Sequence, residues 1–489
     1  MDKGSQATHT ASMSNEHIPA GISAADWQAT PPAIRALVLH LLQVVAQQQE
    51  RIAALEERLN QNSRNSSKPP SSDPPQTPSR PPRAASGRKA GGQAGHQGHH
   101  RPLKALRELD QVVPLRPLSC ARCGSLLLGD DPHPELHQVS DVPPIKPSVT
   151  EYQRHTLICL CCGEATAAAW PADMPPGDFG PRLQATIGYL SGRLGLSKRD
   201  AEEVCDTLLN VELSLGSIPA QEAAVSAALA PAVAAVHAYM QHCAQPHVDE
   251  TGWFEAATHA WLWLATTPLV ALFLILPSRG AASLKALLGD AFAGIVHSDR
   301  WSAYNQLDPR QRQVCWAHLL RDFQKLVERG GASQPLGAGL LAAGQRLFEL
   351  WDQLRAGTLS RVEFQTAVAP LRSQLHALLQ AGAQCTQLPT RHLCQNLLKL
   401  EVALWTFVAV DGVEPTNNRA ERAVRRAVLW RRRSFGTQSA TGSEFVARIL
   451  TVVTTLRLQK RDVLDYLTAA CEAAICGDQP PSLLPTQTT

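Results

Sequence analysis

Apolar residues recur near the start of the chain at Ile34, Val38, Leu41, Val45, Ile52, Leu55 and Leu59, with polar Gln48 holding the place between Val45 and Ile52. The spacings of 4, 3, 4, 3, 4, 3 and 4 are those of an a/d heptad seam. Gln47, Gln49, Glu56 and Glu57 border the stripe, and a seam this narrow favours coiled-coil association over packing within one domain. Further on, LSKRDAEEVCDTLL, NVELSLG and SIPAQEAAVSAAL read as helix, turn and helix, with Gly216 closing the turn and Ser217 as the next N-cap. From His247 the period shortens. HVDETGWFEA, HAWLWLAT, LVALFLIL, AASLKALLG and GIVHSDRWSAY predict β-β-β-α-β, and QVCWAHLLRDFQKL predicts a short strand running into a helix. Residues 331–412 are rich in Ala, Leu and Gln and predict helices, as do residues 415–470.

The stretch from Ala260 to Pro277 carries no charge and is long enough for a minimal membrane helix. Thr266-Thr267-Pro268 interrupts it near the middle, so two buried strands joined by a turn are expected instead. The 489 residues suggest about three domains, and a hydrophobic fraction of 44% excludes wholesale disorder. The net charge of +3 conceals two basic segments. Nine Lys/Arg accompany one acid, Asp73, between Arg64 and Arg107; seven Arg accompany one acid, Glu421, between Thr416 and Arg433. Such clusters in a near-neutral chain point to a polyanion met at defined places. The opening MDKGSQATHTASMSNEH lacks the apolar core of a secretion signal, so a cytoplasmic protein with reduced thiols is expected, without a disulfide framework.

Four of the twelve cysteines form matching pairs, Cys120-x-x-Cys123-Gly and Cys159-x-x-Cys162-Gly. Two such knuckles can set four thiolates tetrahedrally around a structural zinc, with Cys161 as the spare. Asp249 and Asp299 each end a predicted strand, where carboxylates can share divalent cations. Successive strand residues face opposite ways, which excludes Glu250 as a companion of Asp249. Glu421 has two readings: a capping-box partner of Asn418, or a metal ligand between the apolar stripe Ala420, Ala423, Val424, Ala427, Val428 and an arginine face. His318 could orient a water or a phosphate, or be a structural histidine.

From roughly Ile34 to Leu467 the chain resembles the insertion-sequence sixty-six family of bacterial transposases. The resemblance is carried in order by RNSSKPPSSD, GGQAGHQGH, the paired knuckles, VDETGW, HSDRWSAY, CWAH, NNRAERAVR and RRRSFGTQSATGS. It implies a ribonuclease-H-like catalytic core in which Asp249, Asp299 and Glu421 form an Asp-Asp-Glu triad binding two Mg²⁺ (or Mn²⁺). It further implies cleavage at insertion-sequence ends, strand transfer into target DNA, and phosphate neutralisation by Arg422, Arg425, Arg426, Arg431, Arg432 and Arg433. The expected partners are double-stranded DNA (terminal inverted repeats and target), further copies of the chain and accessory proteins of the same element. No membrane is expected, and the location is the nucleoid-associated cytoplasm. A non-catalytic zinc-containing DNA-binding regulator, or a nuclease that cuts without joining, are the alternatives.

The expected layout is therefore multidomain α+β. It comprises a disordered segment 1–30, a coiled-coil helix 31–62, a basic Pro/Ser/Gly-rich linker 63–102, a zinc-ribbon-like module 103–175, and a helix-turn-helix-like segment 176–245. The catalytic domain takes 246–323 and 413–470, an all-helical insertion takes 324–412, and a tail 471–489 follows.

Overall fold

A computed structural model describes residues 18–19, 21–60 and 101–485. The expected disorder of residues 1–17 and nearly all of the basic linker 63–102 lie outside them. Packing divides the chain into two units, Met1–Ser79 with Arg321–Ala338, and Arg80–Leu320 with Gly339–Thr489.

The first unit contains α1 (Ala24–Ala29) and α2 (Pro32–Asn60). α1 corrects the expectation of a patternless stretch to residue 30. Ser23 caps it by accepting from the Asp26 N–H, and Trp27 is buried, signals too local to make a period. α2 confirms the long helix and begins on a proline, whose fixed φ suits a first turn. Ile34, Leu41, Val45 and Ile52 of its seam are each about half exposed.

In the second unit, β1 (Thr156–Ile158) and β2 (Ala165–Ala167) make an antiparallel hairpin. α3 (Pro181–Gly188) passes directly into a π-helical turn, Tyr189–Leu194, followed by α4 (Lys198–Leu209) and α5 (Ser217–Gln241). Gly216, not Ser217, holds the N-cap position of α5. α5 is the one helix among the described residues long and apolar enough to cross a membrane. It is a core helix here, burying Ile218, Val225, Leu229, Val233, Val236 and Met240, and it carries no Lys or Arg.

The sheet follows the sequence pattern. β3 (His247–Glu255), β4 (Thr258–Thr266) and β5 (Ala271–Leu276) form an antiparallel meander, so the uncharged run is two strands. After α6 (Ala281–Leu288), β6 (Val296–Ser298) and β7 (Arg312–Val314) add in parallel on the far side of β3, giving the order β5-β4-β3-β6-β7. α7 (Trp316–Arg329) follows, then α8 (Ser333–Arg355), α9 (Arg361–Gly382), α10 (Leu388–Lys399), α11 (Glu401–Leu404) and α12 (Thr406–Ala409), helical throughout as the composition implied.

α13 (Asn418–Ser434), α14 (Ala440–Leu458) and α15 (Val463–Cys476) close the chain. The Thr455 and Thr451 hydroxyls on α14 accept from the Ala271 and Phe273 N–H groups, satisfying the free edge of β5. The core runs between α5, the sheet, α14 and α15, with Trp253, Trp263, Leu264 and Ile449 buried at its centre. Residues 471–476 complete α15, and the described residues beyond it are held in place. Leu483 is buried, and the carbonyls of Pro481, Ser482 and Leu483 accept bonds from Tyr466, Arg461 and Gln459.

Candidate active site

β3 and β6 lie side by side and parallel, with His247 opposite His297. Their buried imidazoles stack at 3.9 Å and 11°, and burial lowers their pKa values to about 4 and about 3, so both are neutral near pH 7. Two residues beyond this pair stand Asp249, still on β3, and Asp299, just past β6. Adjacent parallel strands thus deliver the two carboxylates to one level; only Asp299 ends its strand, since β3 runs on from Asp249 to Glu255, which corrects the expectation that both aspartates end strands.

Helix α13 brings the third. Its N-cap is Asn417, whose side chain makes no cap bond. The Asn417 amide donates to the Val248 carbonyl, and its oxygen lies 3.1 Å from His247 Nδ1, so it pins the start of α13 to β3. The capping-box reading of Asn418 and Glu421 is therefore corrected: Glu421 sits one position too late. Its carboxylate lies 3.5 Å from His318 Nδ1. Ala420, Val424 and Ala427 supply the buried face of α13, as the stripe implied.

Asp249 is held well above the usual carboxylate range, first by burial and then by the charges of Glu250, Asp299 and Glu421. Each of the three predicted carboxylates is thus close enough for its charge to be felt at one place. The tightest cluster of ligand atoms among the described residues is nonetheless Cys315, His318 and Glu421, all within 4.8 Å of one another.

Glu250, set aside as a companion of Asp249, neighbours Asp299 instead. Asp299 lies beyond its strand end and is free of the strand's alternation, so Glu250 shares its surroundings. Arg279 binds Glu250 at 2.7 Å and reaches Asp299 at 3.9 Å, while the Tyr304 hydroxyl donates to Glu250 at 2.5 Å. Burial, then the charge of Asp299, raises the Glu250 pKa. The Arg279 guanidinium stacks on Trp301 at 3.9 Å and Trp261 at 4.9 Å, which fixes its plane. Arg279 has no motif around it, and only its place after β5 at the sheet end reveals it.

The arginines of α13 do not all face one way. Arg422 and Arg425 are exposed, and Arg426 donates to the Arg193 carbonyl at 2.6 Å. Arg432 and Arg433 are exposed at the last turn. Arg431 instead donates to Thr251 Oγ1 and the Gly252 carbonyl, which makes it a clamp on β3 in place of the phosphate contact expected. The RSFGTQS segment after it docks on the same hairpin. Thr437 pairs with Glu255, accepts from the Trp253 indole, and donates its N–H to the Phe254 carbonyl.

The two Cys-x-x-Cys segments adopt one backbone design. In each, the N–H of the following glycine donates to the first cysteine's carbonyl, and that glycine is left-handed (Gly124 φ +74°, Gly163 φ +77°). Hydrogen bonds from Ser125, then Cys120, lower the Cys123 thiol to about 7. The backbone N–H groups of Cys162 and Cys161 lower that of Cys159.

The chain matches the family described as "Transposase IS66 family" over residues 177–444. Residues 26–102 match a family of unknown function (DUF6444). Two relatives from Sinorhizobium fredii (strain NBRC 101917 / NGR234), both named as uncharacterized proteins, align with it. y4hP is 26% identical over 74% of this chain and 71% of its own length. y4qI is 28% identical over 43% of each. The matched residues contain the whole five-stranded sheet, the paired aspartates and the helix bearing Glu421, and on this ground the chain belongs to the IS66 family of transposases.

Proposed function

We propose that the protein cuts DNA at insertion-sequence ends and joins the exposed 3′-hydroxyl to target DNA, with Asp249, Asp299 and Glu421 as the catalytic carboxylates. The observation that carries this is the placement of Asp249 and Asp299 at one level of adjacent parallel strands, each two residues past the His247–His297 pair, with the charge of Glu421 felt at Asp249. The order of three antiparallel strands followed by two parallel ones supports a ribonuclease-H-like reading of the sheet.

The donor set fits divalent cations. Hard carboxylate oxygens suit Mg²⁺ or Mn²⁺, and clustered negative charge around a buried carboxyl favours a cation there. A bound pair of such ions would stabilise the attacking and leaving oxygens of an in-line phosphoryl displacement. The protein's own residues do the positioning. Asn417 and the histidine stack set α13 against β3, Arg279 bridges Glu250 to Asp299, and His318 stands 3.5 Å from Glu421. Cys120, Cys123, Cys159 and Cys162 would hold a structural zinc, for which the two preformed knuckles and their lowered thiols are suited. The exposed seam of α2 would join copies of the chain.

The test is incubation of the protein with element-end DNA and Mg²⁺, scoring cleavage and joining separately. Both should occur with the natural chain, and both should vanish in Glu421→Gln while DNA binding persists. Cleavage without joining would replace this reading with that of a nuclease. Binding alone, with no cleavage under Mg²⁺ or Mn²⁺, would make the protein a DNA-binding regulator.

A further inference from the structure

On α13 a second surface lies away from the carboxylates. Residues along a helix step by roughly 100°, so Arg426 stands roughly 140° round from Glu421. There α13, α14 and the π-helical turn enclose a groove of about 640 Å³, and neither Asp249, Asp299 nor Glu421 lines it. Seven arginines do: Arg193 from the turn, Arg457 from α14, and five from α13, among them Arg422, Arg425 and Arg426. No aspartate, glutamate or lysine accompanies them. Like charges this dense repel: burial first, then the Arg193 and Arg457 charges, bring Arg426 down to about 10.

The groove is built to keep them there. A π-helix is rare and tends to mark functional places. This one seats Gly192 where a side chain would meet Ile449 at 2.2 Å. Its carbonyls at Arg193 and its closing Gly195 then accept from Arg426 and Arg433. From Arg422 to Arg433 the row extends about 16 Å at about 1.5 Å per residue. One strand of duplex DNA presents a phosphate every 3.4 Å or so of axis. A row of this length suits a polymer of phosphates rather than a single one.

We propose that this groove seats the sugar-phosphate backbone of duplex DNA at a place separate from the reacting carboxylates. The inference rests on reading the protein as a DNA-processing enzyme, but it is tested by binding alone. In a full-length Glu421→Gln protein, affinity for a duplex of arbitrary sequence should be measured by fluorescence anisotropy across salt concentrations. Adding Arg193→Gln and Arg457→Gln should weaken binding about tenfold and reduce the slope of log affinity against log salt by roughly 2. Arg193→Lys with Arg457→Lys should restore most of the slope, and a circular-dichroism melt should show the glutamine protein folded. An unchanged affinity and slope in that folded protein would overturn the proposal. So would pyrophosphate binding that the glutamines abolish while DNA binding stays as it was. Failure of end cleavage in the natural protein, with these binding results intact, would sink the transposase reading and leave the groove standing.

Discussion

At Asp249 the proposed function and the stability of the fold oppose each other. Its pKa is raised on folding, so the folded chain holds the proton more tightly than the unfolded one does. Stability from this group is fully present below the ordinary carboxylate range and is lost as pH rises through the raised value, by up to about 1.4 kcal/mol per pH unit. Protein stripped of divalent cations should therefore melt lower at pH 7.5 than at pH 5.5 on this account. Asp249→Asn should raise the melting temperature at pH 7.5 and abolish strand cleavage, as differential scanning fluorimetry and a cleavage assay would show. A lower melting temperature for Asp249→Asn would mean that the carboxylate charges do not repel as the structure implies. Arg279→Met makes the reverse experiment. It leaves Glu250, 1% exposed at its side chain, buried without its cation. Removing one partner of a buried ion pair costs about 3 kcal/mol or more, which urea denaturation would measure.

Among the elements, α2 and the knuckles were legible from residue spacing, because a heptad and a Cys-x-x-Cys turn are local patterns. Ile34, Leu41, Val45 and Ile52 are half exposed in the single chain, and a seam of apolar residues facing water is the surface a second helix would cover. Leu41→Asp with Ile52→Asp should dissociate the assembly, read as a fall in mass by light scattering; an unchanged mass would mean that α2 does not join copies. For the knuckles, residues 103–170 expose Leu115, Leu118, Leu126, Leu128 and Leu160 and bury almost nothing, so a zinc would supply the stability that no core does. Cys120→Ser with Cys159→Ser should lose about one zinc per chain and expose this segment to protease. Full zinc by elemental analysis would end the idea. Glu421 shows what an element's start can hide. Asn417 and Asn418 look equally able to cap α13 in sequence, and the one-residue difference removes Glu421 from the capping box.

At the scale of the whole molecule, the unit that holds the sheet is closed by contacts between residues nearly two hundred positions apart. Gly436 lies at φ +118°, and a Cβ there would meet the Phe254 carbonyl oxygen at 2.1 Å, so the RSFGTQS segment can dock on β3 only because it has a glycine. Gly436→Ala should destabilise the protein by 1 kcal/mol or so at least, through strain and the lost Thr437 pairing, and lower strand transfer with it. A melting temperature equal to that of the natural chain would show the docking to be dispensable. The sequence by itself determined most of the helices and strands, since hydrophobic period is a property of neighbours along the chain, while the level at which Asp249 and Asp299 stand side by side depends on how β3 and β6 pair. It also determined that the uncharged run is two strands, from the Thr-Thr-Pro break. Only the tertiary structure decided that α5 is a core helix, that Arg431 is a clamp and Arg279 a bridge, and that Arg193 and Arg457 join the arginines of α13. Those roles depend on which distant backbone or charge a side chain meets, and chain spacing does not encode that.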